Sequence, residues 1–278
     1  MSMKPLKTEL QQLYGDASKH SAYQNIPDFV SAELGYTETI DESWRGDRPR
    51  LTYLYEARKP AAGEIWMDFG ANTGFFTLSL AKTHPQTRFI AVEANPNHAA
   101  FIRRVADYFQ MGNVGVIQSA VGIEDLPSLP KVDFMLHLNV LHHAGHDFDK
   151  HAVACIEDFG EYAQRYLKLL RGVARGLFFQ MGSNWGGDKS RPLVGLYEDA
   201  EKLRLFATWL RHAGWRPVKA AYPHRGGDGR IAYHDLATLA CAQLAENSGM
   251  ALEMHSWESL DQFPGEFYRR PLFICEHA

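Results

Sequence analysis

The chain has 278 residues, a hydrophobic fraction of 45% and a formal net charge of -4 at pH 7, an ordinary composition for a globular protein. These values exclude intrinsically disordered and fibrous architectures, and the length predicts one core with additions. The acidic balance supplies no general positive field, so nucleic acid is not the expected partner.

The cysteines and the apolar runs bear on the cellular compartment. Cys155, Cys241 and Cys275 are far apart and odd in number, so they define neither a disulfide framework nor a zinc-ligand spacing. This favours a reducing environment. No apolar run reaches the roughly 18 residues of a membrane span, and no apolar signal segment follows Met1. We therefore expect a cytoplasmic protein without a membrane span.

The first sixty residues read as helices and loops. Leu6, Leu10 and Leu13 fall on one helical face, and a second helix is expected at Asp47–Arg58. We assign residues 1–59 as an N-terminal helical cap.

From Glu64 onward, short apolar runs alternate with helical stretches, a pattern typical of a parallel sheet wound with helices. The expected strands are Glu64–Phe69, Arg88–Glu93, Val114–Gln118, Asp133–Leu138, Gly176–Met181, Arg216–Tyr222 and Pro271–Glu276. Helices are expected near 75–83, 96–110, 161–173 and 198–213. The pattern predicts an α/β, Rossmann-like fold for residues 60–278, with a seven-stranded, mostly parallel sheet and helices on both faces.

Two loops and one insertion are expected to surround the ligand. The insertion covers about 223–270 and holds a helix expected near Asp235–Glu246. Ligands of open α/β sheets bind outside the carboxyl ends of the strands, where loops 139–151 and 182–196 begin.

The most informative stretch is Asp68–Phe76, which reads Asp-Phe-Gly-Ala-Asn-Thr-Gly-Phe-Phe between a strand and a helix. Gly70 and Gly74 allow a sharp turn and close approach of a ligand. Asn72 and Phe75 stand where a dinucleotide fingerprint needs glycine, which disfavours NAD. The loop also lacks the Gly-Lys-Ser or Gly-Lys-Thr ending of a phosphate-binding loop, which disfavours ATP.

Two carboxylates remain at the strand ends. Glu93 ends the second strand roughly 20 residues after Gly74, where a carboxylate can accept both hydroxyls of a ribose. Asp68 could serve a cationic group, directly or through water, or could cap the following turn. A ligand with a ribose and an ammonium group but no phosphates is S-adenosylmethionine.

Asp68–Gly74 with Glu93 resembles the class I S-adenosylmethionine-dependent methyltransferase superfamily over roughly residues 62–221. Together with the stretches Val92–Pro96 and Ser119–Gly122, it is similar to the first half of FkbM-type O-methyltransferases. The resemblance implies that the glycine loop contacts the methionine moiety, that Glu93 binds ribose, and that the segment at Ser119 flanks adenine. The cofactor-binding residues expected in this way are Asp68, Gly70, Ala71, Asn72, Gly74, Glu93, Ala94, Ser119, Ala120 and Asn139.

The sequence after the fourth strand departs from FkbM-type enzymes. It reads Leu-Asn-Val-Leu-His-His over Leu138–His143, closer to the Val-Leu-His-His stretch of other small-molecule, bacterial-glycan and transfer-RNA methyltransferases. The acceptor is therefore not inherited from the FkbM type. A hydroxyl acceptor needs a base, and histidine can take a proton at neutral pH. One of His142 and His143 is the expected catalytic base, while the other could pack under the loop.

Two other chemistries fit the loops after the fourth and fifth strands less well. His146, Asp147, Asp149 and His151 could hold a divalent ion, but their spacing matches no fixed ligand motif, so no metal is expected. Ser183 lacks the Gly-x-Ser-x-Gly context of a hydrolase nucleophile.

The predicted rim is locally basic and aromatic despite the acidic total. Arginine binds phosphate or carboxylate, and tryptophan offers a flat face to a sugar ring. Each arginine taken alone reads more readily as a solvated surface residue, and only the common predicted edge of the group favours a binding role. The substrate-binding residues expected here are Trp44, Arg48, Arg50, Trp185 and Arg191.

The leading interpretation is an O-methyltransferase acting on a small-molecule or saccharide-type, anionic acceptor. The enzyme alternative is a transfer-RNA methyltransferase, which the net charge disfavours. The Asn-Pro-Pro-Tyr motif for exocyclic amino groups is absent, since Asn139 is followed by Val140. A catalytically silent module that binds a partner is the third reading.

Overall fold

The computed structural model describes residues 7–8, 25–35, 46–193, 199–236, 263 and 266–278. The chain forms two compact units, Met1–Ala120 and Val121–Ala278. Within the described ranges, every helix is too short or too polar to cross a lipid bilayer.

Among the described residues, two complete helices precede the first strand of the first unit. Helix α1 spans Asp28–Leu34, and α2 spans Asp47–Ala57, close to the predicted bounds of the second helix. The predicted helical face of Leu6, Leu10 and Leu13 lies outside the described residues. The assignment of 1–59 as a cap stays a prediction.

The first unit continues as an alternation of strands and helices. It comprises β1 (Ile65–Phe69), α3 (Phe75–Thr83), β2 (Arg88–Glu93), α4 (Pro96–Tyr108) and β3 (Val114–Gln118). The three strands lie in the order β3-β2-β1, and both pairings are parallel. Their carboxyl ends therefore share one edge, as the sequence predicts.

Local sequence explains where α4 begins. The side chain of Asn95 accepts hydrogen bonds from the backbone N–H groups of Asn97 and His98 and caps the helix, while Pro96 occupies the first position without losing a bond. Phe101, Ile102 and other residues of one face are buried. The Asn95 cap thus fixes the helix start at Pro96, three residues after Glu93.

The second unit holds the remaining elements. They are β4 (Val132–Leu138), α5 (Phe159–Leu170), β5 (Ala174–Gln180), α6 (Asp199–His212), β6 (Trp215–Arg225), β7 (Ile231–Asp235) and β8 (Leu272–His277). The strand order is β4-β5-β8-β6-β7. Strands β4 and β5 are parallel, whereas β8 runs antiparallel to both β5 and β6.

The strand count corrects the sequence-based prediction. The described strands number eight rather than seven, because β6 continues to Arg225 instead of ending at Tyr222 and pairs antiparallel with β7. Residues 226–229, which the sequence places in an insertion, form the turn of this hairpin. Asp235 lies in β7 rather than in the helix expected from that residue, and 237–246 lie outside the described residues.

Candidate active site

The glycine loop leaves β1 with three backbone positions in the left-handed region. Gly70, Asn72 and Gly74 have φ of 76°, 51° and 81°. A side chain at Gly74 would also lie 2.8 Å from Cγ1 of Ile102 on α4, so glycine is needed there for packing as well as for conformation. The N–H groups of Gly70 and Ala71 both donate to the carbonyl of Val92 on β2. The loop is thus tied to the end of the neighbouring strand.

Asp68 lies beneath this loop and is buried. Its Oδ2 accepts from both the backbone N–H and the hydroxyl of Thr77, at 3.2 and 2.8 Å. Thr77 belongs to the first turn of α3, so Asp68 caps that helix from the preceding strand. Burial raises the pKa of Asp68 to about 6, although the bonds from Thr77 and the charge of Arg50 oppose the shift. These two bonds support the alternative that Asp68 caps the turn after β1. Binding of a cationic group by Asp68 stays a prediction.

Glu93 ends β2 and joins the two segments of the expected ribose site. Oε2 accepts from the N–H of Asn72 and Oε1 from the N–H of Asn95, both at 2.7 Å. The side chain is 11% exposed. Burial raises the pKa of Glu93, the charge of Asp68 adds to that effect, and the backbone donors oppose it. One carboxylate therefore holds the glycine loop against the start of α4.

The residues beside Glu93 are small and open to solvent. Gly70, Ala94, Ser119 and Ala120 are exposed at the carboxyl ends of β1, β2 and β3. The N–H of Ser119 donates to the carbonyl of Glu93 at 3.1 Å, which fixes the segment after β3 beside the carboxylate. Most of the expected cofactor-binding residues are thus gathered at one strand edge of the first unit.

Asn139, also expected to bind the cofactor, belongs to the second unit and is held by side chains that sequence reasoning missed. It follows β4 with a left-handed φ of 60°. Its Nδ2 donates to Oε1 of Gln180 at 3.1 Å, and its Oδ1 accepts from Nη1 of Arg270 at 2.8 Å. Nε2 of Gln180 donates to the carbonyl of Arg270 at 3.1 Å and closes the network. Only the position of Gln180 and Arg270 at strand ends could have signalled them.

The two candidate histidines have different environments. His142 is 2% exposed, and its Nδ1 accepts from the backbone N–H of Gly182 at 3.1 Å. An Nδ1 that accepts a hydrogen bond leaves the proton of a neutral imidazole on Nε2, so this ring is set up as a donor. The alternative of one histidine packed under the loop thus describes His142.

His143 has an acidic neighbour instead. Its Nδ1 lies 2.9 Å from Oδ2 of Asp147, four residues along the chain, and its side chain is 20% exposed. A carboxylate beside one nitrogen stabilises the positive charge created when the other nitrogen takes a proton. The two rings are close, with centroids 4.2 Å apart.

The loop after β5 braces the histidine loop. The indole of Trp185 is buried, and its Nε1 donates to the carbonyl of Ala144 at 2.6 Å. The guanidinium of Arg191 lies over the Trp185 ring, 5.2 Å from its centroid, and is half exposed. These contacts give Trp185 a supporting role, and sugar stacking by this ring stays a prediction.

The other expected substrate-binding residues lie in or near α2. Arg50 is 3% exposed, pairs with Asp47 at 2.5 Å and covers the ring of Phe76. Arg48 is partly exposed and pairs with Asp28 at 2.6 Å. Trp44 lies outside the described residues. Binding of an acceptor by Arg48 and Arg50 stays a prediction.

Asp149, one of the residues considered as metal ligands, forms hydrogen bonds with other parts of the second unit. Its Oδ2 accepts from the N–H of Ile123 at 2.7 Å and from the hydroxyl of Tyr162 at 2.5 Å. Among the described residues, no three His, Cys, Asp or Glu side chains are grouped to hold a metal ion.

Comparison with known proteins gives similarity in fold. No protein-family model matches the chain, and no curated protein matches it. Among solved structures, EvdMO1 aligns with 100% of this chain and 48% of its own, at TM-score 0.50 and 16% identity. The bifunctional kinase-methyltransferase WbdD aligns with 67% of this chain and 39% of its own, at TM-score 0.47 and 17% identity.

A third similar structure is a SAM-dependent methyltransferase from Aquifex aeolicus, with 67% of this chain and 88% of that chain covered, TM-score 0.42 and 19% identity. The chain spans less than half the length of the EvdMO1 and WbdD chains. At 16% identity the likeness to EvdMO1 concerns the fold alone.

Proposed function

We propose that the protein is an S-adenosylmethionine-dependent O-methyltransferase acting on a hydroxyl of a small-molecule or saccharide-type, anionic acceptor. The main support for this cofactor assignment is the environment of Glu93. This carboxylate is nearly buried, and the exposed residues Ala94 and Ser119 lie beside it. A carboxylate at that place repels phosphate and accepts hydroxyl donors, and small neighbours leave room for a nucleoside. A nucleoside ligand without phosphates at this edge therefore suits the residues present.

The hydrogen-bonding capacity of Glu93 supports the ribose assignment. Each carboxylate oxygen can accept two hydrogen bonds. Oε1 takes the N–H of Asn95, and Oε2 takes the N–H of Asn72. The N–H of Ala94 also interacts with this carboxylate, which still keeps capacity to accept a ribose hydroxyl while it holds the loop.

The histidine environments support a division of roles in methyl transfer. S-adenosylmethionine, when bound, would supply an electrophilic methyl group, whose carbon–sulfur bond would break as the acceptor oxygen bonds the methyl carbon, with S-adenosylhomocysteine as the leaving group. His143 takes the proton of the acceptor hydroxyl on Nε2, while Asp147, 2.9 Å from Nδ1, stabilises the resulting imidazolium. His142 accepts from Gly182 through Nδ1 and presents its Nε2–H as a donor. His143 is thus the proposed base.

Calorimetry tests the cofactor assignment. We expect S-adenosylhomocysteine and S-adenosylmethionine to bind in the micromolar range of enzyme ligands. Glu93→Ala should lose on the order of 2 to 3 kcal/mol of binding free energy because charge-assisted bonds are removed. Glu93→Gln keeps the shape of the side chain and one acceptor oxygen. Its binding free energy should therefore lie between those of the parent and Glu93→Ala. Glu124→Gln, an exposed carboxylate paired with Arg165, is the matched control.

Unchanged affinity in Glu93→Ala, or binding of NADH in place of the adenosyl ligands, would reject this assignment. Methylation of a transfer RNA in preference to charged saccharides would favour the alternative acceptor. Cofactor binding without turnover on any acceptor class would favour the silent module.

A further inference from the structure

Asp149 anchors the loop that carries the proposed base. It lies six residues after His143 and two after Asp147. Its Oδ2 accepts from the N–H of Ile123, between β3 and β4, at 2.7 Å and from the hydroxyl of Tyr162 on α5 at 2.5 Å. Ile123 and Tyr162 are both buried. One carboxylate oxygen therefore ties the loop to two packed parts of the second unit.

The backbone between this anchor and the base is closed on itself. The N–H of Gly145 donates to the carbonyl of Phe148 at 2.7 Å. The N–H of Asp147 donates to the carbonyl of His143 at 2.9 Å. A displacement of Asp149 would therefore disturb the segment that places Asp147 beside His143.

The backbone of Asp149 itself depends on these contacts. Its φ of 51° lies in the left-handed region, which is unfavourable for a residue with a Cβ, although aspartate and asparagine tolerate it better than most. Such a conformation persists where surrounding contacts hold it. The two bonds to Oδ2 are contacts of that kind.

Gly122 leaves the space that the carboxylate occupies. A Cβ built on Gly122 would lie 2.3 Å from Oδ1 and 3.2 Å from Cγ of Asp149. The three atoms nearest to this Cβ, outside the adjoining residues, all belong to Asp149. The φ of Gly122 is not left-handed, so packing against Asp149 is what disfavours a side chain there.

We infer that Asp149 is a positioning residue for methyl transfer, whose carboxylate holds the loop so that Asp147 stays against Nδ1 of His143. Asp149 acts through these two residues and touches no substrate itself. Both donors bind the same oxygen, so an amide oxygen can replace it. The catalytic consequence rests on the proposed function, whereas the positioning does not.

Nuclear magnetic resonance of the histidine rings tests the positioning without cofactor or acceptor. The signals of His143 are assigned with His143→Gln. In the parent chain at constant pH, Asp147→Asn should shift them, because a charge 2.9 Å from Nδ1 is removed. In Asp149→Gly, which deletes the carboxylate and fits the left-handed backbone, the same substitution should produce at most about half that shift. Asp149→Asn keeps an oxygen for both donors and should retain most of it.

Two further variants disturb the anchor while Asp149 remains. Tyr162→Phe deletes one of the two donors, and Gly122→Ala displaces the carboxylate. Both should weaken the response of His143 to Asp147→Asn, Tyr162→Phe less than Asp149→Gly. Combined with Asp149→Gly, Gly122→Ala should add nothing, because the three atoms nearest to its Cβ are absent. If Asp149→Gly does not fold, these two variants supply the same comparison.

Turnover tests the catalytic consequence. With an acceptor that the parent protein methylates, kcat should fall roughly tenfold to a hundredfold in Asp149→Gly, because the base is misaligned. The acceptor KM and the affinity for S-adenosylhomocysteine should change little, and Asp149→Asn should restore kcat. A residue that only stabilised the fold would lower the free energy of unfolding and leave kcat of the folded protein unchanged.

Asp228→Gly is the matched control. It is the same substitution in the turn between β6 and β7, where Oδ1 of Asp228 accepts from the N–H of Arg230 at 3.0 Å. We expect this variant to keep both the response of His143 to Asp147→Asn and the parent kcat.

Two results would overturn the inference. One is a response of His143 to Asp147→Asn that is as large in Asp149→Gly as in the parent, and the other is a parent-like kcat in Asp149→Gly. Calorimetry with S-adenosylhomocysteine on the same samples separates this failure from failure of the proposed function. If the parent does not bind that ligand, the proposed function fails, and the resonance measurement still decides the positioning by Asp149.

Discussion

The glycine-loop region and the histidine region are built by different means. In the first, backbone N–H groups of Asn72 and Asn95 meet Glu93, at separations of 21 and 2 residues along the chain. In the second, Asn139 meets Gln180 at 41 residues and Arg270 at 131, side chain to side chain. A site made by local backbone geometry leaves a compact sequence motif, whereas a site assembled by distant side chains leaves none.

The largest expected effect of a substitution is a loss of turnover in the histidine region. His143→Ala should lower turnover by ~10² to 10⁴ because the general base is lost. Asp147→Asn removes the carboxylate 2.9 Å from Nδ1 and should lower turnover less than His143→Ala. Initial rates of S-adenosylhomocysteine formation, with an acceptor that the parent protein methylates, measure both effects.

His212→Ala is the matched control for these variants, since this exposed histidine lies at the end of α6 and bonds Gln164. Parent-like turnover in His143→Ala would remove the base assignment. Activity should also persist in EDTA. Loss in EDTA with rescue by magnesium would revive the metal alternative at His146 and Asp147.

The buried Asp68 of the first unit should make the free energy of unfolding depend on pH. The pKa of Asp68 is about 6 in the folded chain and near 3.8 as an ordinary side chain, because burial penalises the charge. The folded state therefore binds more protons between these values, and stability falls as pH rises through them. The contribution is about 3 kcal/mol and is fully present only below the lower value. Denaturant unfolding of Asp68→Asn should lack this decline, while keeping an acceptor for Thr77.

In the second unit, the buried His137 should make the free energy of unfolding change with pH in the opposite direction. Burial lowers the pKa of His137 from 6.5 to about 4. The unfolded chain therefore binds more protons between these values, and stability is full above pH 6.5 and falls as pH drops toward 4. The loss is about 3 kcal/mol at completion. His137→Gln, which can still reach Tyr166, should flatten this dependence. A parent-like acid limb in the variant would refute the assignment to His137.

The same contrast explains how far the sequence could predict the structure. The strand bounds near Asp68 and Glu93 come within a residue of those observed, because alternating apolar runs and glycine spacing are local signals. The eighth strand was missed because the glycine-rich stretch 226–229 reads as an irregular loop, although it turns a hairpin onto β6. For Arg270 the sequence offers only its position just before a strand, since its contact with Asn139 depends on β8 returning beside β5. Long-range pairing, not local propensity, decides that placement.

The smallest expected effect concerns Arg48, which the sequence places in the acceptor site. Its pair with Asp28 is partly exposed, 34% and 77% for the two side chains, so solvent and salt screen the attraction. Arg48→Gln should therefore cost less than about 1 kcal/mol of unfolding free energy. If Arg48 also touches an anionic acceptor, the acceptor KM should rise while cofactor affinity stays constant, because only the second ligand is affected. Arg165 is another exposed arginine in an ion pair. Arg165→Gln therefore serves as a control that measures the loss of unfolding free energy from breaking such a pair alone. Equal KM values in both variants would exclude Arg48 from acceptor recognition.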